Sequence, residues 1–501
     1  MKRRSSGTLI LAASLLILCA SYYRVVYALP AQADAGPQSE QAPAASKMPA
    51  QATTSNDRTD LAVTVYNSNI ALVRDVRQVS LPTGTFALKF EDVAASINPT
   101  TVHFRSLGEP AKLTVLEQNY EYDLLDPAKL LQKYVGKEVI LTRYVTENNS
   151  SKVVETKATL LADNGSPVWK VGDEIVTGMM VDSYRFPDVP ADLYSHPTLI
   201  WALENDGSKS QHVEASYLTN NMNWNADYVL TVSRDEKDAD LDGWVTVSNN
   251  SGVAYQNAKL QLVAGAVHRV EPNAAREVVV EAMVAKAAAP PMQQENFSEY
   301  HLYTLQRKTT IADKESKQIS LLNASGVAVE KFFLVEGEEY YYRRQQSLGS
   351  PTPEPVQVNY RFKNSERSHL GMPLPAGTIR AYQADSKGGI QLLGEDSINH
   401  TPKDEDVTIH IGDAFDVVCE RKETDYRKID NHTYELEFEI ALRNHKDSDI
   451  TVEVREPLGG DWDVEKSNFP PKKLDARTAA FEVPVTKDGN ATLDYRVRVK
   501  W

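Results

Sequence analysis

Leu61-Ala62-Val63-Thr64-Val65, followed by Ala71-Leu72-Val73 and then Val76, Val79 and Leu81, decides the fold. Apolar side chains recur at every second position, the period of a strand with one buried face, rather than at the three-to-four spacing of a helix. Asn67-Ser68-Asn69 and Pro82-Thr83-Gly84 sit between the runs as turns. Phe86, Leu88 and Phe90 continue the pattern until Asn98-Pro99 breaks it, and Val102-His103-Phe104 resumes it.

Downstream the same reading repeats. Strands are expected at Val139-Ile140-Leu141, Val153-Val154, Thr159-Leu160-Leu161 and Val168-Trp169-Lys170-Val171, with turns at Asn164-Gly165 and Gly172-Asp173. This stretch reads as a small barrel or curled sheet. One short helix is expected where Asp126-Pro127 precedes Leu130-Leu131 and Tyr134-Val135 and Gly136 ends the run. Further strands are expected at Tyr228 to Val232, Trp244 to Val247, Phe332 to Val335, Ile379 to Tyr382, Val407 to Ile411, Tyr434 to Ile440 and Tyr495 to Val499. The expected fold class is therefore all-β and multi-domain: β-sandwich and small-barrel units with short helices, behind a signal peptide and a disordered tether.

The ends and the low-complexity stretches set the expected boundaries. Lys2, Arg3 and Arg4 precede the apolar run Leu9 to Leu18, the pattern of an export signal over residues 1–33, or of a retained N-terminal anchor. Residues 34–57 are rich in Ala, Gln, Pro, Ser and Thr and read as a disordered linker. The remaining divisions are an N-terminal β-domain at 58–122, a small β-barrel-like unit at 123–195, a β-sandwich region at 196–271, a linker at 272–295 and a C-terminal β-sandwich region at 296–501.

Composition narrows the partners. The 501 residues are 42% hydrophobic and 25% charged, a globular balance. Loss of residues 1–33 would leave 50 basic against 69 acidic side chains, a net charge of −19. Such a surface repels polyanions, so nucleic acid is not an expected partner, and no membrane span is expected in the mature chain unless the signal segment is retained. Only Cys419 remains after such cleavage, which excludes an internal disulfide.

Several residue groups are candidates for chemistry. Asp238, Asp240 and Asp242 before Gly243 have the alternation that opens a calcium loop, but position twelve is Asn249, which is not a bidentate ligand. A solvated acidic turn is the competing reading, so calcium is a weak expectation and no other cofactor is expected. Glu395, Asp396, His400, Asp404 and Glu405, with His410 and Cys419, supply acid and imidazole groups at nondescript spacing. Alternation puts His410 opposite Ile409 and Ile411 on an exposed face, and Cys419 reads as a small buried filler. Tyr340, Tyr341, Tyr342 and Arg343 form a candidate binding tract, since aromatic rings beside arginine anchor many interfaces, with core or edge packing as the default reading. Serine-hydrolase, dinucleotide, phosphate-loop and His-Glu-x-x-His signatures do not occur. No catalytic residue is assigned.

Ser216-Tyr217-Leu218-Thr219, Asn223-Trp224-Asn225-Ala226-Asp227-Tyr228, Gly243 to Gly252 and Asn257 to Gly265 closely resemble the signature of the domain-of-unknown-function 4139 family. Gly394-Glu395-Asp396, His400 to Glu405, Gly412 to Val417, Glu420-Arg421 and Leu493 to Val497 resemble it as well. The resemblance covers roughly residues 190–501. It implies an exported, β-rich bacterial protein without an assigned reaction, distantly related to mucoidy-inhibitor proteins, whose coiled coil has no counterpart here. The expectation is an extracytoplasmic, envelope-associated binding or structural protein with an envelope or extracellular ligand. The alternatives are a hydrolase with an unrecognised carboxylate site and an outer-membrane β-barrel.

Overall fold

A computed structural model describes residues 48–121, 125–147, 150–190, 193–194, 196–265, 292–297 and 299–501. The export signal and most of both expected linkers lie outside these residues. The regular structure of the described chain is almost entirely strand, arranged in five sheets.

The opening motif folds as its alternation dictates. Arg58–Tyr66 and Ile70–Ser80 pair antiparallel across a turn in which Asn69 takes a left-handed conformation, and Leu61, Val63 and Val65 point inward. These strands lie in an eight-stranded sheet with Ser210–Asn220, Tyr255–Ala264 and shorter neighbours. A four-stranded sheet is ordered Ala50–Thr53, Gly84–Phe90, Thr198–Asn205, Leu113–Glu121. Its inward residues Phe86, Leu88, Trp201 and Leu203 join one continuous core with the eight-stranded sheet and the first part of a ten-stranded sheet.

The second core is the C-terminal sandwich. A five-stranded sheet is ordered Thr352–Glu354, Val417–Lys428, Thr433–Asn444, Asn490–Lys500, Asp461–Ser467. It packs Leu436, Phe438, Ile440, Tyr495 and Val497 against Val452, Val454, Phe481 and Val483 of the ten-stranded sheet. The 22-residue strand Glu315–Glu336 belongs to both cores. Its first part pairs with Asp238–Asn249, and its second part pairs with Gln357–Lys363 and Ile450–Pro457.

A third, smaller unit interrupts a hairpin. Leu113–Glu121 and Thr198–Asn205 are antiparallel neighbours, and the chain between them builds a separate five-stranded sheet with the helix Pro127–Lys133. The helix begins as expected: the Asp126 carboxylate accepts from the Ala128 and Lys129 amides at 2.8 and 3.0 Å, and Pro127 needs no partner for the N–H it lacks. Leu131, Tyr134, Leu141, Leu160 and Trp169 form its core.

Of the barrel and the curled sheet expected for the small unit, the structure has an open sheet, since Glu174–Thr177 and Ser183–Arg185 are edges that do not meet. Three other expectations differ from the structure. None of the five sheets closes on itself among the described residues, so the outer-membrane barrel has no ring to occupy; the C-terminal strand Asn490–Lys500 lies inside a sandwich sheet. The expected linkers also carry strands at their ends. Ala50–Thr53 pairs in parallel with Ala87 to Phe90, and Met292–Phe297 pairs with Tyr300–Leu305. Finally, pairing of Asp238–Asn249 with Glu315–Glu336, and of Met222–Val232 with Gly377–Ala384, crosses the expected division near residue 295.

A buried charge explains the N-terminal correction. Arg77 is fully buried, donates to the Thr53 and Glu91 carbonyls at 3.0 and 2.8 Å, and pairs with Asp75 at 3.0 Å. Asp75 also receives Arg58 at 2.8 Å, and the Arg77 guanidinium lies 3.5 Å from the centroid of the Phe90 ring. The side chain thus fastens a polar segment that has little apolar surface of its own. Replacement by R77A takes the charged donor from the Glu91 carbonyl and leaves Asp75 with Arg58 alone and the Thr53 carbonyl with the Glu91 amide alone, and is expected to cost about 3 kcal/mol. R105A removes an exposed partner of Glu214 and is expected to cost under about 1 kcal/mol. Urea denaturation of both variants checks the contrast; equal costs would refute the role given to Arg77.

Candidate functional site

Ionisable groups converge inside the C-terminal sandwich. The strand Val417–Lys428 turns Cys419, Arg421 and Glu423 to its inner face by the two-residue period, and all three are buried. Arg421 meets two carboxylates: its Nε donates to Glu354 at 2.6 Å, and its Nη2 lies 2.8 Å from Glu456 Oε1 without hydrogen-bond alignment. Tyr342 donates its hydroxyl to Glu456, and the Tyr342 and Tyr495 hydroxyls are 2.8 Å apart. Arg421 Nη1 also reaches the Tyr495 hydroxyl at 3.3 Å.

Three separate elements are joined here. Glu354 arrives on Thr352–Glu354, which pairs with Val417–Lys428 and places Glu354 opposite Cys419. The Ser350 to Pro355 stretch, which its prolines mark as a break, is thereby an edge strap. Tyr342 arrives on the short 3-10 helix Glu339–Tyr342, and Glu456 on the strand Ile450–Pro457. Gly337 has no side chain for a steric reason, because a Cβ there would sit 2.1 Å from Glu456 Oε2.

Burial dominates the electrostatics. It pushes the Glu456 carboxyl above its ordinary range despite the attraction of Arg421. Burial opposes the charge on Arg421, yet Glu456 and the neighbouring tyrosines and Glu354 more than offset it and hold the guanidinium protonated. Tyr342 and Tyr495 are raised by burial and by the Glu456 charge. The Cys419 thiol is pushed up to about 12, first by burial and then by Glu354, so it is a neutral core side chain rather than a thiolate nucleophile. Burial, with Asp425 nearby, also raises Glu423, whose Oε1 accepts no hydrogen bond among the described residues.

What this cluster does chemically follows from its enclosure. The Arg421 and Glu456 side chains are 4% and 0% exposed, so an external molecule meets neither in this conformation. A paired carboxylate system of this kind locks the strap and the 3-10 helix onto the sandwich. Outside it, a surface cleft of about 710 Å³ is lined by Lys331, Arg361, Lys446, Arg455, Phe332 and other side chains. Its charges are largely engaged, with Lys331 on Glu236 at 2.7 Å, Arg361 on Glu330 at 2.9 Å and Arg455 on Glu453 at 2.6 Å.

The residues singled out in the sequence land in different places. Tyr342 is at the centre of the buried cluster. Tyr340 and Tyr341 pack edge to face beside it, and Arg343 pairs with Glu339 and lies 4.3 Å from the Trp501 ring. The tract is thus split between core and rim, and its inner member works as a structural hydrogen-bond donor. Asp238, Asp240 and Asp242 lie on the strand Asp238–Asn249, spaced about 6.5 Å apart along it. Asp240 opposes two residues at a bulge, where its carboxylate accepts the Gly326 amide at 3.1 Å, and Asp242 accepts from Asn323. Gly243 serves packing, because a Cβ there would lie 2.8 Å from Leu322 and 3.3 Å from the Tyr228 ring. No group of three or more His, Cys, Asp or Glu positioned for a metal occurs among the described residues.

The second set is dispersed in the same way. Glu395 pairs with Arg380, Asp396 accepts the His410 amide at 2.8 Å, and His400 Nδ1 accepts the Ala376 amide at 3.1 Å. Ile409 is buried and His410 exposed, as their alternation required. Arg421, Glu354 and Glu456 were missed. A buried ion pair leaves no local pattern when its members are far apart in the chain, although Arg421 at an inward strand position beside Cys419 was a usable signal.

These features define an all-β protein whose sandwich cores enclose charged clusters. The chain belongs to the DUF4139 family, described as a domain of unknown function, whose family model matches residues 213–501 and so includes every member of the Arg421 cluster. No curated protein matches the chain.

The raised Glu456 carboxyl gives a signed pH prediction. A carboxyl that holds its proton more tightly when folded contributes stability fully present below the unfolded value, near 4.3, and lost as pH rises through the folded one. E456Q removes that titration, so the stability of wild type relative to E456Q is expected to fall as pH is raised from about 4.3 towards neutrality. Urea midpoints across that range measure it; parallel curves would count against the buried, proton-retaining Glu456.

Proposed function

We propose that this chain is an exported, envelope-associated binding or structural protein. The observation that carries this reading is the use of the buried charges: Arg77 and Arg421 are spent on holding peripheral segments to sandwich cores, not on lining an open cleft. Export is supported by Lys2, Arg3 and Arg4 before the apolar run Leu9 to Leu18. The acidic balance favours a ligand that is not a polyanion, in the envelope or outside the cell, over nucleic acid. Among the described residues no helix is long and apolar enough to cross a membrane.

The competing hydrolase reading rests on one specific feature, the two carboxylates Glu354 and Glu456 that share the Arg421 guanidinium. Catalysis there would require the strap carrying Glu354 to lift. Cell fractionation, N-terminal sequencing of the mature chain and a panel of ester, glycoside and peptide substrates separate the readings. We expect an extracytoplasmic chain that has lost about 33 residues, the length of such a signal, and no turnover. A cytoplasmic chain that keeps residue 1 would overturn export. Turnover abolished by E354Q in a variant that remains folded would overturn the non-enzymatic reading.

A further inference from the structure

The inserted five-stranded unit exposes an unpaired strand edge. Glu138–Glu147 and Ser150–Asp163 form a long hairpin, with Tyr144 opposite Val153 and Arg143 opposite Val154. On one side Thr142 O accepts the Asp182 amide at 3.0 Å, and the Tyr144 amide donates to the Asp182 carboxylate at 2.7 Å. Even-numbered backbone groups of Glu138–Glu147 therefore face the strand Ser183–Arg185, and its odd-numbered groups face Ser150–Asp163. In the antiparallel register the even-numbered groups of Ser150–Asp163 answer them, as the 3.1 Å bond from the Leu160 amide to Lys137 O requires. The odd-numbered groups point the other way. Pro167–Val171 takes that side only from Thr159 onward, and no described strand pairs with it at Ser151, Val153, Glu155 or Lys157.

Each face of this edge carries one exposed valine among polar side chains, Val153 on one and Val154 on the other. Tyr144, Val153 and Val154 are 63%, 50% and 38% exposed. Among the described residues, ten of the 22 exposed large hydrophobic side chains lie between Leu125 and Val189, so the insert is enriched in uncovered apolar side chains for its length.

We infer that this edge pairs with the same edge of a second copy of the chain, antiparallel and centred on Val154. Antiparallel partners must share parity, because both turn their N–H and C=O groups to the same side. The register centred on Val154 satisfies all four outward residues of each copy, placing Val153 opposite Glu155 and Ser151 opposite Lys157. On the other face Val154 meets Val154 and Lys152 meets Thr156. No like charges are opposed. A shift that centres on Glu155 sets that carboxylate against itself, and a shift to Thr156 strands Ser151 and Val153. Charge favours the same place on the molecule: copies of an acidic chain repel, but over the unpaired stretch Ser151 to Lys157 the edge carries Lys152 and Lys157 against Glu155 and is not acidic. Such an isologous contact is closed by a two-fold axis and ends at a dimer.

Cross-linking tests the register. Even-numbered positions form non-hydrogen-bonded pairs across the new ladder, with Cα atoms about 4.5 Å apart, within the range a disulfide spans. In the full chain carrying C19S and C419A, V154C is expected to form a disulfide-linked dimer under mild oxidation. K152C or T156C alone is expected to stay monomeric in non-reducing gels, and a mixture of the two to cross-link. E155P deletes an outward donor that the hairpin itself does not use, so it is expected to leave the thermal transition in place while abolishing dimers in sedimentation runs across a dilution series. Sedimentation as a monomer at every concentration together with absence of the V154C cross-link would overturn the inference, as would K152C or T156C linking to itself. Capture of a different protein's strand by this edge, with no self-association, would overturn it too.

Discussion

The strand Glu315–Glu336 is the constraint on which the described architecture depends. Its alternation, shifted in phase at two bulges, places Ile319, Leu321, Ala324 and Val327 in the first core, and Phe333 and Val335 in the second. One backbone therefore sets the register of both, and a slip by a single residue would turn buried side chains outward at either end. Bulges where it pairs with Asp238–Asn249 absorb the misfit. Asp240 satisfies one of them by accepting the Gly326 amide, and Gly243 lets Leu322 and Tyr228 approach at another. The acidic run before Gly243 is therefore understood as strand-pairing hardware.

The two sandwich cores use buried arginine for the same purpose. Arg77 binds the Thr53 carbonyl at the end of a strand with little apolar content, and Arg421 binds Glu354 on a strap flanked by prolines. Neither strap contributes much hydrophobic burial, so each is held by charge-assisted hydrogen bonds whose strength depends on exclusion of water. Ion pairs of this sort add little net stability relative to apolar packing, yet breaking one is costly, because the remaining partner is left charged and unsolvated. They specify where a segment docks more than how firmly the core holds.

That division explains what was legible in the sequence. Alternation is local, so the strands around Leu61 to Val65, Val407 to Ile411 and Tyr495 to Val499 were readable, as was the capped helix at Asp126. The straps were not, since Ala50–Thr53 owes its conformation to Arg77 and the Phe90 ring rather than to its own residues. The candidate site was half legible. The tyrosine tract and Cys419 drew attention from composition, but Tyr342, Arg421, Glu456 and Tyr495 come together only through tertiary hydrogen bonds between residues 74 to 153 apart in the chain. The carboxylates around Asp396 formed a denser cluster in the sequence than in space, where strand geometry separates them.

The insert is built on a different principle. Leu113–Glu121 and Thr198–Asn205 stay paired at the point where it leaves, and a bond of 2.8 Å from the Leu125 amide to Tyr194 O closes the stem. Its core is small, formed by Leu131, Tyr134, Val139, Leu141, Ala158, Leu160 and Trp169. An element stabilised by its own core and joined at one hairpin can alter its surface without disturbing the register of the strands that hold the rest of the chain. The sandwiches hold the buried ion pairs of Arg77 and Arg421, whereas the insert holds ten of the 22 exposed large hydrophobic side chains of the described residues. The strand pairing we infer for the insert would therefore leave the register of the sandwich strands untouched.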